Sequence, residues 1–205
     1  MTNTTANPAR PLSDLDMGTP WGTADQCDIR AEGIVFYATP SHGGFKLDDQ
    51  QNAKVHRALR NRNGWYEEDC EWSKVAFTFP TLFTPDEREA ADKTLRAYFP
   101  DAYEKLTNTK LAPGQSFQRD QAVFNAAHRL DWVVISAIGS NQHKGFVECF
   151  ATIGGVRETW GGPKVQERRF LVPDAEYAKR CIAFVIDPDR HPTYDGTSSF
   201  VGWRG

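Results

Sequence analysis

With 205 residues, 40% of them hydrophobic and 12% aromatic, the chain is long enough to bury one large, bulky core. A net charge of −3 argues against a nucleic-acid binder, and it is too small for an acidic mimic of DNA unless the acids gather on one face. No apolar run reaches the roughly 18 residues that would cross a membrane as a helix.

Residues 1–18 are polar and without apolar period, and are expected to form a flexible arm ahead of a single domain over 19–205. The run Gly33 to Ala38 is apolar and β-rich, and predicts a strand. Thr39-Pro40-Ser41-His42-Gly43-Gly44 reads as a turn, and Phe45 to Leu47 as the returning strand of a hairpin. Asp48 or Asp49 opens an amphipathic helix that Asn61 to Gly64 stops, with Arg57, Arg60 and Arg62 near its end, where cations suit the helix dipole or could meet phosphate.

Gly64 to Phe79 is read as a second helix with Tyr66, Cys70, Ser73 and Phe77 on one stripe. Glu67, Glu71 and Lys74 then lie opposite, and Glu71 meets Lys74 one turn on. Asp69 points into the apolar arc, either as a first-turn acid bonded to free N–H groups or as a partly buried carboxylate held for a ligand. Thr84, Pro85 and Glu87 form a capping box for a third helix whose buried side is Ala90, Leu95, Tyr98 and Phe99. Asp101 caps a short successor, and Phe117 to Leu130 is another helix.

The last third turns to strands: Trp132 to Ile138, Gly145 to Ile153, Gln166 to Val172 and Cys181 to Ile186, with a short helix from Pro173 to Tyr177. The glycine-rich stretch Gly154 to Pro163, carrying Arg157 and Trp160, is either a hairpin connection or a contact loop. Arg168 and Arg169 alternate across their strand, and a carboxylate of the Glu67 to Glu71 cluster is the expected partner for one of them. Strands, then helices, then strands predict an α+β fold. A mostly antiparallel sheet is formed by the N-terminal hairpin and the C-terminal strands and covered by the central helices.

The five histidines make no H-x-x-x-H or H-E-x-x-H pair, no G-x-S-x-G elbow is present, and no cofactor is expected. Cys27, Cys70, Cys149 and Cys181 form no C-x-x-C pair. Without an apolar signal-peptide core they are expected to be reduced and buried in a cytoplasmic protein, although a helix start at Cys70 could also activate its thiol. Ser41 to Gly44 is an ordinary turn or a nest of N–H groups for an anion.

The segments I-V-F-Y-A-T-P-S-H-G-G-F-K-L, N-G-W-Y-E-E-D-C-E-W-S-K-V-A, R-R-F-L-V-P, F-V-I-D-P-D-R-H and S-S-F-V-G-W together resemble a family of uncharacterised bacterial proteins associated with plasmids and prophages of proteobacteria. The likeness covers about residues 20–203 and carries no reaction, cofactor or catalytic residue. It implies an accessory role on a mobile element, such as countering host defence. One expectation is therefore a protein that binds and blocks a host protein or ribonucleoprotein such as a CRISPR effector. Trp65, Tyr66, Glu67, Glu68 and Glu71 would lie at the contact, with Gly43 and Gly44 beside them, and without direct nucleic-acid or membrane contact. The other is a small enzyme using His42 with Glu68 and Asp69 for acid–base or metal chemistry.

Overall fold

The computed structural model describes residues 18–200. The chain divides into two compact units, one running to Gln118 and the other from Arg119. Val201 and Trp203, expected to pack back on the body, and nearly all of the expected arm lie outside the described residues.

In the first unit a small antiparallel ribbon, β1 (Gly18–Thr19) with β2 (Gly22–Thr23), precedes a four-stranded sheet. Its strands are β3 (Gln26–Ala31), β4 (Ile34–Ala38), β5 (Gly43–Leu47) and β6 (Trp65–Glu67), antiparallel in that order. The expected β4–β5 hairpin is present, with Phe36 opposite Phe45 and Ile34 opposite Leu47. Strict alternation sends these side chains to one face, where they meet Tyr66, Val75 and Leu95 in the core.

Helix α1 (Asp49–Lys54) starts where Asp48 accepts from the Gln51 N–H at 2.7 Å. It ends earlier than the apolar period suggests. The Arg60 guanidinium folds back and donates to the carbonyls of Val55 at 2.9 Å and Ala53 at 2.6 Å, satisfying the last turn without extending it. Helix α2 (Trp72–Thr78) and a 3₁₀ turn (Pro80–Leu82) lead to α3 (Pro85–Tyr98), whose Thr84–Glu87 capping box is complete. Helix α3 buries Ala91 and Leu95 rather than Ala90, and α4 (Pro100–Thr107) follows directly.

Helix α5 (Phe117–Ala127) carries the chain across the boundary between the units. The second unit is a three-stranded antiparallel sheet of β7 (Trp132–Gly139), β8 (Phe146–Ile153) and β9 (Glu167–Pro173), with β8 in the middle. Cys149, Ala151, Phe170 and Val172 form its core, with Tyr177 of the short helix α6 (Asp174–Tyr177) packed against them. The expected fourth strand does not form. Val185 makes one bridge to Val133, flanked by two backbone bonds to the free edge of β7. The turn from Asp187 to His191 then diverts the chain: the Asp187 N–H donates to His191 Nδ1 at 3.0 Å, and Nε2 of the same buried ring lies 3.2 Å from Glu176. Residues 192–194 cover the other edge, along β9. Both edges are thus occupied by irregular segments that leave no long template for further pairing.

The α+β class and the antiparallel pairing agree with the sequence pattern, but the hairpin and the C-terminal strands belong to separate sheets rather than one. The hairpin recruits β6 as its third partner, a strand concealed inside the expected second helix. Among the described residues no helix is long and apolar enough to cross a membrane.

All four cysteines are free, but their burial differs: Cys149 is buried, Cys27 and Cys70 are partly buried, and Cys181 is exposed rather than internal. Burial pushes the Cys149 thiol up to about 12, so little thiolate exists near neutrality. In a native-state alkylation time course at pH 8, Cys181 should label first and Cys149 only after denaturation. Mass-spectrometric mapping of the labelled peptides checks this order.

Candidate functional site

The acid-rich aromatic segment is two elements joined by a tight turn, not one helix. Gly64 turns the chain with φ of +70°, where an added Cβ would stand 2.6 Å from the Leu47 carbonyl. Trp65, Tyr66 and Glu67 then extend along β5 opposite Lys46, Phe45 and Gly44. Aromatic residues favour this pleated, half-buried position, and the ladder bonds to β5 outweigh a helical period only a few residues long.

Glu67 is the next determinant. Its carboxylate accepts from the Asp69 N–H at 2.7 Å and from the Cys70 N–H at 3.2 Å, closing the turn that precedes α2. The Glu68 N–H donates to the Gly43 carbonyl at 3.0 Å, which pins this turn beside the β4–β5 turn. Thr39 locks that second turn, its hydroxyl accepting from the His42 N–H at 3.0 Å and donating to the His42 carbonyl at 2.8 Å. His42, Glu68 and Asp69 therefore come to the same end of the sheet. Asp69 and His42 are exposed, and among the described residues neither carboxylate pairs with a cation or with His42. Cys70 lies in the turn rather than at a helix start. Burial first, and then Glu67, Asp69 and Glu71, push its thiol upward, the opposite of activation.

Gly43 and Gly44 are buried, and their Cα faces are covered. A Cβ at Gly43 would meet a Glu68 carboxylate oxygen at 2.5 Å, and one at Gly44 would meet the Trp21 ring at 2.4 Å. On the sheet face away from the core, Trp65 packs edge-on against Trp21 at 5.7 Å and beside Tyr37 at 5.4 Å, with the Lys46 ammonium 5.4 Å from its ring centre. Trp21 and Trp65 are half-buried, so this aromatic face borders solvent near the acidic turn.

Tyr66 and Glu71 face inward. The fully buried Tyr66 hydroxyl donates to Asn52 Oδ1 at 2.6 Å and accepts from the Asn61 N–H at 3.2 Å. The Asn61 side chain donates to the Trp65 carbonyl and to Glu71, both at 2.7 Å. The Lys74 ammonium, on a residue only 6% exposed, donates to Glu71 at 2.7 Å and to Asn61 Oδ1 at 3.1 Å, and lies 4.3 Å from the centre of the Phe99 ring. Burial alone would raise the Glu71 carboxyl. The bonds from Lys74 and Asn61, with the Lys74 charge, outweigh it and hold the group below its usual range. The Glu71–Lys74 spacing is visible in the sequence, but the depth of the pair and its partners Asn52 and Asn61 are not. Among the described residues the carboxylate neighbour of Arg169 is Glu148 at 3.9 Å rather than the expected acid, and Arg168 lies over Trp132.

Fold and site together define an α+β protein whose N-terminal sheet presents an acidic turn, clamped from within, beside a half-exposed aromatic face. A family model for a domain of unknown function, DUF7007, matches residues 15–129, more than half of the chain, and the protein belongs to that family. No curated protein and no solved structure matches the chain. The match takes in the whole acidic turn and stops before β7.

Replacing Lys74 by Ala leaves Glu71 and Asn61 facing an empty, water-poor space. The expected loss is about 2–4 kcal/mol, below the range for fully buried pairs because Glu71 keeps some exposure. Urea unfolding measures it. The depressed Glu71 pKa gives stability that is complete above the unfolded glutamate value of about 4.3 and is lost as pH falls through the lower folded value. The Glu71→Gln variant should therefore be less stable at pH 7 and lose less stability on acidification. Melting temperatures of both proteins between pH 7 and pH 3 test this.

Proposed function

We propose that the protein is a binding protein that inhibits a host factor, with Glu68 and Asp69 and the neighbouring Trp21–Trp65 face meeting a basic surface. The partner class is a cytoplasmic protein or ribonucleoprotein, and a defence complex of the CRISPR type suits both the charge and the likeness to plasmid- and prophage-borne proteins. One observation carries the reading. Two adjacent carboxylates are held at an exposed turn by Glu67 and Gly43, and neither has a cation partner among the described residues. Unpaired surface carboxylates steer association with basic surfaces, and half-exposed Trp side chains supply contact area. Glu67 and Glu71 support this surface from behind, which narrows the contacting acids to Glu68 and Asp69.

An enzymatic reading is favoured by one fact, the bond from Glu68 to Gly43 that brings the carboxylate beside the residue following His42. In it, the His42 imidazole and a carboxylate would exchange a proton with a substrate at the sheet end.

Binding of the purified protein to purified CRISPR effector complexes, followed by biolayer interferometry at two salt concentrations, distinguishes the readings. The wild type is expected to bind and to weaken with salt. The Glu68→Lys/Asp69→Lys variant should bind at least about tenfold more weakly with an unchanged melting temperature, and His42→Ala should bind normally. Failure of the wild type to bind any complex type sinks the inhibitor reading. A folded His42→Ala protein that binds but no longer inhibits supports the enzyme.

A further inference from the structure

The sheet of the second unit has a face that its core does not use. Phe150 is registered with Arg169 and Thr152 with Glu167, so alternation sets these four, with Glu148, opposite the Cys149 side. Two cavities adjoin there. The larger, about 770 Å³, lies between the sheet and the Gly154 to Pro163 connection, lined by Ile135, Thr152, Val165, Arg157 and Trp160. The smaller, about 520 Å³, is lined by Phe150, Arg169, Thr193 and Tyr194. Glu167 lines both.

Two side chains on this face are incompletely used. Trp160 is fully exposed, and among the described residues it packs on no other ring. A side chain with so much apolar area in water gains from any flat surface that covers it. Its loop is positioned by Arg157, which donates to the Ile135 carbonyl, and by Thr152, which donates to the Val156 carbonyl at 2.8 Å. Arg169 is held by the Gly196 carbonyl at 2.6 Å and by the Tyr194 ring at 5.1 Å, yet among the described residues its buried Nη1 has no hydrogen-bond partner. Glu148, 3.9 Å from that nitrogen, already accepts from the Ser199 N–H and from the hydroxyls of Ser199 and Ser140. Arg169 thus lines the smaller cavity, and one of its donors, enclosed beside Glu148, is left unpaired among the described residues.

We propose that the two cavities together bind a small anionic ligand with a planar ring, of the nucleoside monophosphate class. The ring stacks on Trp160 in the larger cavity. Glu167, at the junction, accepts hydrogen bonds from vicinal sugar hydroxyls, and the anionic end lies in the smaller cavity against Arg169 and the Thr193 hydroxyl. Glu158 and Asp195 also line the cavities and oppose further negative charge, which favours a monophosphate over a triphosphate. Each cavity by itself is of the size that small-ligand sites occupy.

Isothermal titration of the full chain with AMP, adenosine and inorganic phosphate tests the assignment. AMP should bind saturably, and more tightly than either fragment by at least about tenfold. Trp160→Ala and Thr193→Val should weaken AMP while leaving the melting temperature unchanged. Arg169→Gln should weaken it further, with its melting temperature recorded because it also faces Glu148. No saturable binding of AMP, GMP, CMP or UMP at millimolar concentration overturns the proposal. So does a Trp160→Ala protein that binds AMP as the wild type does. Tighter binding of a single-stranded oligonucleotide than of the monophosphates overturns the assignment to a free nucleotide.

Discussion

A lysine buried with its carboxylate partner imposes the organisation of the first unit. An ammonium withdrawn from water is tolerated only where acceptors replace its hydration, and Lys74 finds Glu71, Asn61 and the face of Phe99. Asn61 in turn donates to the Trp65 carbonyl, and its own backbone N–H is taken by Tyr66. One set of hydrogen bonds therefore ties the loop after α1, the start of β6, the turn and α2. Since a half-satisfied network would be worse than an apolar core, the geometry of these four segments is set jointly.

The division of labour among the four acids follows. Glu71 is drawn inward by Lys74, and Glu67 is occupied by the backbone of the turn it closes. Glu68 and Asp69 remain at the rim, beside the turn carrying His42. A continuous helix would instead have spread all four around a cylinder, with Glu67 and Glu71 on its outer side. The inversion explains why an acid-rich block can serve the core and a surface at once.

The second unit solves a related problem by different means. Glu148 sits fully buried on the central strand, and three donors from Ser140 and Ser199 compensate for its desolvation. Burial would raise this carboxyl, but those bonds and the Arg169 charge hold it below its usual range. Two residues separated by more than fifty positions are thereby joined, and the chain after β9 is held across the sheet. Segments without regular structure close both sheet edges, a role that hydrophobic patterning does not encode. The DUF7007 match ends before this sheet, so the strands carrying Glu148 and Arg169 lie beyond the matched residues.

Local chemistry made much of the chain legible. The Thr84–Glu87 capping box, the Gly-rich turn after β4, the apolar runs of β7 and β8 and the antiparallel α+β character are short-range properties, decided by residues a few positions apart. Local patterning did not decide the segments whose conformation depends on a distant partner. Trp65 to Glu67 became a strand because β5 offered a ladder, and Cys181 to Ile186 did not because the Asp187–His191 turn ended its pairing after one bridge. The order of residues alone sets that Glu71 and Lys74 can form a charged pair and that acids crowd between Glu67 and Glu71. Folding settles that Lys74 of this pair is buried, that Asp69 is exposed while Glu67, Glu68 and Glu71 are partly buried, and that the two groups of strands form separate sheets. Desolvation and strand pairing depend on neighbours brought together by folding, not on spacing along the chain.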